Sequence, residues 1–482
     1  MKKQILIASI VYTTLSVLQP FSNFILLPVY TKFFTESQYG TFSILNNLNV
    51  FFTIIGGLSI VHAIIAFYTS YDNNTQEKAL NLYVGNVLSF TIYFNIGLLL
   101  LTCLTGNLLF AVIFREHINF FPNGLLTVTY GLLTNVITGY LFFLKYERNI
   151  SRFTLISLIQ FVLNTLLQYF FIVHLKMGVT GALKARALVA LFCFLIVVCY
   201  HYKYIFARLD FTRFIKPSLK YSINTIPSSV ISWLCSYGDR FLIERFIDLK
   251  SLGVYSFLST ISSLAEMGFL ALGSALQPFI FDFFKLTDKH KIQHLYRLFL
   301  LLSTCIASSI ILVGSNLDLM VQNKGYLEMV KYLPVMTIGY IFSAISYLFN
   351  LQVIYAKKSH YFIFLGIIVL CSNLSLNAFL IPLYGIWGAV ISSTLTKLIG
   401  AATSLYFASK SYSISFEKSN FLILLMLILI MLLLWWLATV HYLSFSISSM
   451  LQFIVIAGLI GIIYRKLILQ SCKEMLATIS KK

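Results

Sequence analysis

The chain has 482 residues, of which 59% are apolar and only 11% charged, and it carries a formal net charge of +19. A soluble globular domain has about a quarter of its residues charged, so this composition excludes one. The basic residues sit in short loops between apolar runs, which argues against nucleic acid as the partner. No Walker A loop is present, which argues against ATP hydrolysis. Seven cysteines are scattered without a CxxC pair, so neither a disulfide framework nor a metal site is indicated.

A membrane-crossing helix needs about 20 apolar residues, and such stretches fill most of the chain. Fourteen spans are predicted, at about 4–30, 39–68, 80–106, 122–144, 153–175, 178–203, 217–237, 251–281, 293–316, 329–355, 360–383, 385–408, 419–440 and 445–468. Lys2-Lys3 before a long apolar run resembles a signal peptide, but no small-residue cleavage site follows, so the run reads as an uncleaved first helix. Placing the N-terminus inside puts 24 of the 35 Lys and Arg residues on the cytoplasmic side and 8 on the other, as the positive-inside rule requires. Both termini are then cytoplasmic, and the basic halo faces an anionic leaflet.

Polar residues fall in rows along single helix faces. In the first two spans these are Ser16, Gln19-Pro20 and Asn23, then Ser43, Asn46, Asn49 and Thr53. In the seventh and eighth they are Asn224, Ser228, Ser232, Ser236 and Asp239, then Ser256, Ser259, Ser263 and Glu266. Such rows are costly in a membrane unless they line protein or water, so these helices are expected to face a cavity. Prolines at 20, 227 and 278 in the same helices permit kinks.

The chain also echoes itself. Gly40 and Gly253, and Ser43 and Ser256, are each 213 residues apart, and Gly178-Val-Thr-Gly181-Ala182 recurs 207 residues later as Gly385-Ile-Trp-Gly388-Ala389. A duplicated half of about 210 residues follows. It gives three regions: an N-terminal six-helix lobe at 1–210, a C-terminal six-helix lobe at 211–412, and two further helices with a basic cytoplasmic tail at 413–482.

Charges inside spans are the candidates for chemistry. Lys184 and Arg186 lie in the sixth span and Lys397 in the twelfth. A charge at mid-membrane costs about 2.5–3.5 kcal/mol on insertion scales. Their functional reading is a cationic cavity for an anionic group, and the alternative is snorkelling or structural pairing. Lys184 and Arg186, two residues apart, cannot face the same way. Glu266 either pairs with one of these cations or carries a coupling ion. Asp239 and Arg240, ending the seventh span, form a local ion pair or extend the ion-coupling and anion-binding sets respectively. The eight histidines form no ligand cluster.

The elbow PVYTKFFTESQYGTFS, its partner DRFLIERFIDLKSLGVYS and the closing LNAFLIPLYGIWGAVISS resemble bacterial polysaccharide exporters. These are the Wzx-type O-antigen and capsule flippases of the multidrug/oligosaccharidyl-lipid/polysaccharide exporter superfamily. The resemblance covers essentially the whole chain. It implies an all-α, MATE-like polytopic membrane protein of the bacterial inner membrane, with two six-helix lobes around a cationic cavity. The implied activity is not enzymatic: it is movement of an undecaprenyl-diphosphate-linked oligosaccharide from the inner to the outer leaflet, with ion-gradient coupling. Membrane lipid, a polysaccharide polymerase and a chain-length regulator are the implied partners, and no cofactor is implied. Lys397, Lys184, Arg186 and Arg240 would meet the diphosphate. Asn23, Asn46, Asn49, Asn224, Ser259 and Ser263 would meet sugar. Lipid II flippases carry arginines in their first two helices and this chain has none there, which argues against a peptidoglycan precursor. Two other readings are a multidrug cation antiporter, which calls for more buried carboxylates than Glu266, and a membrane-bound polymerase or transferase, which calls for a large outer loop or acidic pairs.

Overall fold

The computed structural model describes residues 11, 12, 14, 15, 18, 21–60, 63, 64, 66, 67, 77–116, 118–286, 289–317, 321, 323–358, 360–411, 418–440 and 442–463. Every one of the fourteen expected spans coincides with helix there, and the described residues contain no strand. Ser16, Gln19 and Pro20, and the tail beyond 463, lie outside the described residues. The helices are α1 (Leu27–Phe33), α2 (Glu36–Gly57), α3 (Glu77–Ile113), α4 (Leu125–Tyr146), α5 (Ile150–Tyr169), α6 (Gly178–Ile205), α7 (Lys216–Ile223) and α8 (Ile226–Phe246). They continue as α9 (Leu249–Lys285), α10 (Lys289–Ser315), α11 (Leu333–Tyr355), α12 (Tyr361–Tyr384), α13 (Ile386–Ser411), α14 (Lys418–Thr439) and α15 (Phe445–Ile463). Among the described residues, nine helices are long and apolar enough to cross a membrane. The chain is an all-α, multi-pass membrane protein. Those falling short of that standard include α2, α8 and α13, which carry the polar rows and Lys397.

The chain forms two compact units, Met1–Ser256 and Phe257–Lys482. In the first, α4 packs on α2 and α6, and α5 packs on α6. Its core gathers Val84, Ile137, Tyr140, Ile156, Cys193 and Ile215. In the second, α13 packs along α11 and α12, while α10 packs on α15 and α11.

Two spans are less regular than their hydropathy suggests. The second breaks where α2 ends at Gly57, because Leu58 and Ser59 both adopt left-handed φ, 44° and 53°. The seventh divides into α7 and α8 at Asn224–Thr225. Pro227, which has no N–H to donate, sits in the first turn of α8. Pro278, in contrast, lies within α9, which continues through it.

The echo in the sequence is repeated in geometry. Thr35 caps α2, accepting from the Gln38 amide, while the Gln38 side chain accepts from the Thr35 amide. Asp248, 213 residues on, caps α9 by accepting from the Ser251 amide at 2.6 Å. Gly178 and Gly385 enter α6 and α13 with φ of +56° and +59°, a conformation that costs a residue with a Cβ. In each motif the second glycine lies against a backbone carbonyl of the preceding helical segment, Phe171 O for Gly181 and Leu380 O for Gly388.

Candidate functional site

Arg186 is buried in α6, 3% exposed, and reaches three neutral oxygens. Its Nε–H donates to Gln168 Oε1 at 3.2 Å and its second terminal nitrogen to Asn23 Oδ1 at 2.7 Å, while the first donates to Asn46 Oδ1. The guanidinium stacks 4.6 Å from the centre of the Phe42 ring. Gln168 is itself held: it accepts from Tyr30 Oη at 2.7 Å and donates to Asn164. Thus Arg186, Asn23 and Asn46, singled out separately in the sequence, form one cluster drawn from three helical segments. The two asparagines face the arginine directly. Lys184 lies half-buried, and Arg186 alone enters the cluster, as their two-residue spacing requires.

In the second unit, the Lys397 ammonium donates to Ser393 Oγ at 2.7 Å and stands 4.3 Å over the Tyr340 ring. Ser393 lies 207 residues after Arg186, so the lysine head rests on the arginine's counterpart in the duplicated helix. Gly339 makes room for this: a Cβ there would lie 3.2 Å from the Thr394 backbone and 3.4 Å from Lys397 Cδ. Glu266, half-buried in α9, lies within electrostatic reach of Lys397. Ser259 is buried about one turn before Ser263, whose hydroxyl donates to the Thr260 carbonyl.

The other candidates lie elsewhere. Asn49 is buried against Gly131 of α4, and its side-chain oxygen accepts from Thr53 at 3.3 Å. Asn224 caps α7, exposed, with its amide on the Lys220 carbonyl at 3.4 Å. Ser228, Ser232 and Ser236 are exposed along one face of α8, the open polar row that its spacing predicts. Asp239 is 7% exposed; it accepts from Tyr255 Oη and lies 3.4 Å from the Arg240 guanidinium. That is the local ion pair anticipated for these neighbours. Asp282 and Lys285 of α9 form a further ion pair, at 3.9 Å.

Sequence reading missed a clasp at the far end of α8. Glu244, fully buried, accepts from the Glu116 amide at 2.7 Å, and Glu116 accepts from the Leu249 amide at 2.9 Å. The Glu244 carboxylate of α8 holds the loop after α3, and the Glu116 carboxylate of that loop caps the start of α9, contacts that no spacing rule signals because the partners are 128 and 133 residues apart. Beside the first elbow, a cavity of about 380 Å³ is bordered by Gln38, Thr41, Asn123, Lys176 and Thr180. Among the described residues, no group of three His, Cys, Asp or Glu side chains is placed to hold a metal ion.

Comparison with known proteins fits this geometry. No curated protein sequence matches the chain. Among solved structures, lipid II flippase MurJ in an inward closed conformation is similar over 96% of this chain and 100% of that one, with a TM-score of 0.68 at 15% identity. An inward-facing multidrug resistance MATE family transporter of the MOP superfamily is similar over 80% and 94%, at 0.58 and 13%. A MOP superfamily transporter from Pyrococcus furiosus, described by a binding pocket of reverse polarity, is similar over 85% and 95%, at 0.54 and 14%. At such identities the shared property is the fold. The family model described as "Polysaccharide biosynthesis protein" matches residues 6–284, more than half of the chain, and the protein belongs to that family.

Proposed function

We propose that the protein is a flippase that carries an undecaprenyl-diphosphate-linked oligosaccharide repeat unit, of O-antigen, capsule or a related polysaccharide, from the inner to the outer leaflet by alternating access. The observation that carries this reading is the pair of membrane-embedded cations at related levels of two duplicated helices. Arg186 is surrounded by neutral amide oxygens, and Lys397 rests on a hydroxyl and an aromatic face. A cation solvated by neutral dipoles keeps its charge available to an anion, which is what a diphosphate needs. Lys184 and Arg240 extend the cationic set. The exposed row on α8 with Asn224, together with Asn49, Ser259 and Ser263, offers hydrogen-bonding groups to sugar. Asn23 and Asn46 act in this scheme through Arg186, holding its guanidinium. Glu266, within reach of Lys397, is the first candidate for ion coupling, with Asp239 second.

In this reading the functional divisions are the lobes at 1–210 and 211–412 and the added helices at 413–482. The protein sits in the bacterial inner membrane with both termini cytoplasmic, supplies a polymerase and its chain-length regulator, and performs no covalent chemistry. The family membership and the fold shared with a lipid II flippase support the class of activity. The test is deletion of the gene followed by analysis of surface polysaccharide and of the undecaprenyl-linked pool. Loss of surface polymer with completed repeat units held on the inner leaflet is expected. Single units reaching the outer face unpolymerised would favour a polymerase. Unchanged glycans with raised drug sensitivity would favour a cation antiporter.

A further inference from the structure

The cavity beside the first elbow has no part in the cationic clusters described above, and its lining can be read group by group. Gln38 accepts from the Thr35 amide through Oε1 at 3.1 Å, so its NH2 group is left for whatever enters. Asn123 accepts from the Thr180 hydroxyl through Oδ1 at 2.8 Å, which leaves a second NH2 group. The hydroxyl hydrogens are engaged as well, Thr180 on Asn123 and Thr41 on the Ser37 carbonyl at 3.0 Å, so both hydroxyl oxygens remain as acceptors. Lys176 adds an ammonium, and among the described residues no carboxylate borders the cavity.

Lys176 is held at the rim by an unusual backbone. It stands between α5 and α6 with φ of +50°, and the next residue, Met177, donates its amide back to the Phe171 carbonyl at 3.1 Å. Glycine usually fills such a left-handed position after a helix, and here a long cation fills it. A Cβ on Gly178 would meet nothing within 4 Å, so the chain leaves open space beside the lysine. One ammonium and two amide donors select an anion. A phosphate or a doubly charged group calls for further basic side chains, whereas a single carboxylate matches the single ammonium. The two hydroxyl oxygens then call for hydroxyl groups on the same molecule. At about 380 Å³ the cavity is at the small end of ligand pockets, which run from about 300 to 1,000 Å³, so it takes a ligand of monosaccharide size.

We infer that this cavity binds a sugar that carries a carboxylate, of the uronic-acid type, with the carboxylate on Lys176 and ring hydroxyls on Thr41 and Thr180. The inference rests on the proposed substrate and topology, in which the first elbow and Lys176 face the outer side. There the site holds an acidic residue of the glycan as it emerges. Purified full-length protein in nanodiscs, free of sugar-headed detergent, is observed by saturation-transfer difference NMR with D-glucuronate, D-glucose and inorganic phosphate at millimolar concentration. Glucuronate is expected to show transfer, glucose to show little, and phosphate to leave the glucuronate signal intact. Lys176 is exposed, so Lys176→Gln should fold; it should weaken glucuronate binding about tenfold, the size of one charge-assisted hydrogen bond. Thr41→Val should weaken it as well, with the thermal unfolding midpoint showing that the protein is folded. No transfer to glucuronate, equal transfer to glucuronate and glucose, or an unchanged glucuronate signal in Lys176→Gln overturns the site. Displacement of glucuronate by phosphate at equal concentration overturns the acidic-sugar assignment and leaves a pocket for small anions. None of these readouts depends on transport. Absent binding beside repeat units trapped in the deletion strain removes the site alone, whereas binding beside unchanged glycans removes the flippase reading and leaves a sugar pocket in a protein of another activity.

Discussion

Gly40 and Gly253 touch each other at the entrance to α2 and α9, and replacing either should show how closely these helices must approach. A Cβ on Gly40 would overlap Leu249 O and lie 3.0 Å from Gly253 N; a Cβ on Gly253 would overlap Glu36 O and lie 3.1 Å from Gly40 N. In both cases the obstacle is backbone, so no side chain can swing away and the helix ends themselves must separate. Overpacking of this kind costs about 1–3 kcal/mol. Each single Gly→Ala change should therefore destabilise the protein by about that amount. The double variant should cost clearly less than the sum, because the separation forced by the first methyl already admits the second; neighbouring sites couple by about 0.5–3 kcal/mol. The assay is unfolding of the purified protein in a mixed-micelle SDS titration, with all four members of the cycle measured together. Wild-type stability in Gly40→Ala, or strict additivity in the double variant, would refute the reasoning.

Arg186→Met keeps the bulk but removes the donors from Asn23, Asn46 and Gln168, so it should lose about 1–3 kcal/mol of stability and all surface polymer; retained polymer would confine Arg186 to a structural role. Lys397→Ala should abolish polymer display while the protein still reaches the membrane, as read by surface-glycan staining beside a membrane immunoblot. Gly178→Ala and Gly385→Ala each force an L-residue into left-handed backbone and should cost about 1–2 kcal/mol apiece, measured in the same SDS titration. Outside the spans, Asp210 accepts from the Arg213 amide at 3.0 Å and from Thr212, and these bonds hold its carboxyl below the usual aspartate range. A folded-state pKa lowered in this way contributes stability that is complete above the unfolded value and fades as pH falls through the folded one. Pepsin cleavage near Phe211 should therefore rise more steeply towards low pH in the wild type than in Asp210→Asn, which keeps a side-chain oxygen acceptor at every pH.

The helices were legible because hydropathy and helical length report directly on the cost of taking backbone into lipid, although nine, against the fourteen expected, meet the length and apolarity of a membrane span among the described residues. The breaks were less so. Gly56-Gly57 reads as an ordinary small-residue pair, and only the left-handed Leu58 and Ser59, residues with no sequence preference for that region, end the helix there. Polar rows were legible as faces, yet not as contacts. Spacing put Asn46 on a polar face and its charge marked Arg186 within a span, but that one clasps the other depends on three segments meeting, 140 residues apart in the case of this pair. The glycine echoes worked in the other direction: a repeated Gly-x-x-Gly is a statement about backbone φ and close approach, so it survives translation into three dimensions.

The contact between Gly40 and Gly253 has one more property. Gly40 meets residue 249 and Gly253 meets residue 36, so the pairing is the same when the two echoes are exchanged. That is the isologous pattern by which identical subunits associate across a two-fold axis, here made by one polypeptide with its own repeat. In an assembly of identical chains, a substitution at such a place would appear on both sides at once. Once the two copies are fused, each side is free to change alone. The caps differ, with Thr35 on one side and Asp248 on the other, whereas glycine stands on both sides, each bounded by the other's backbone.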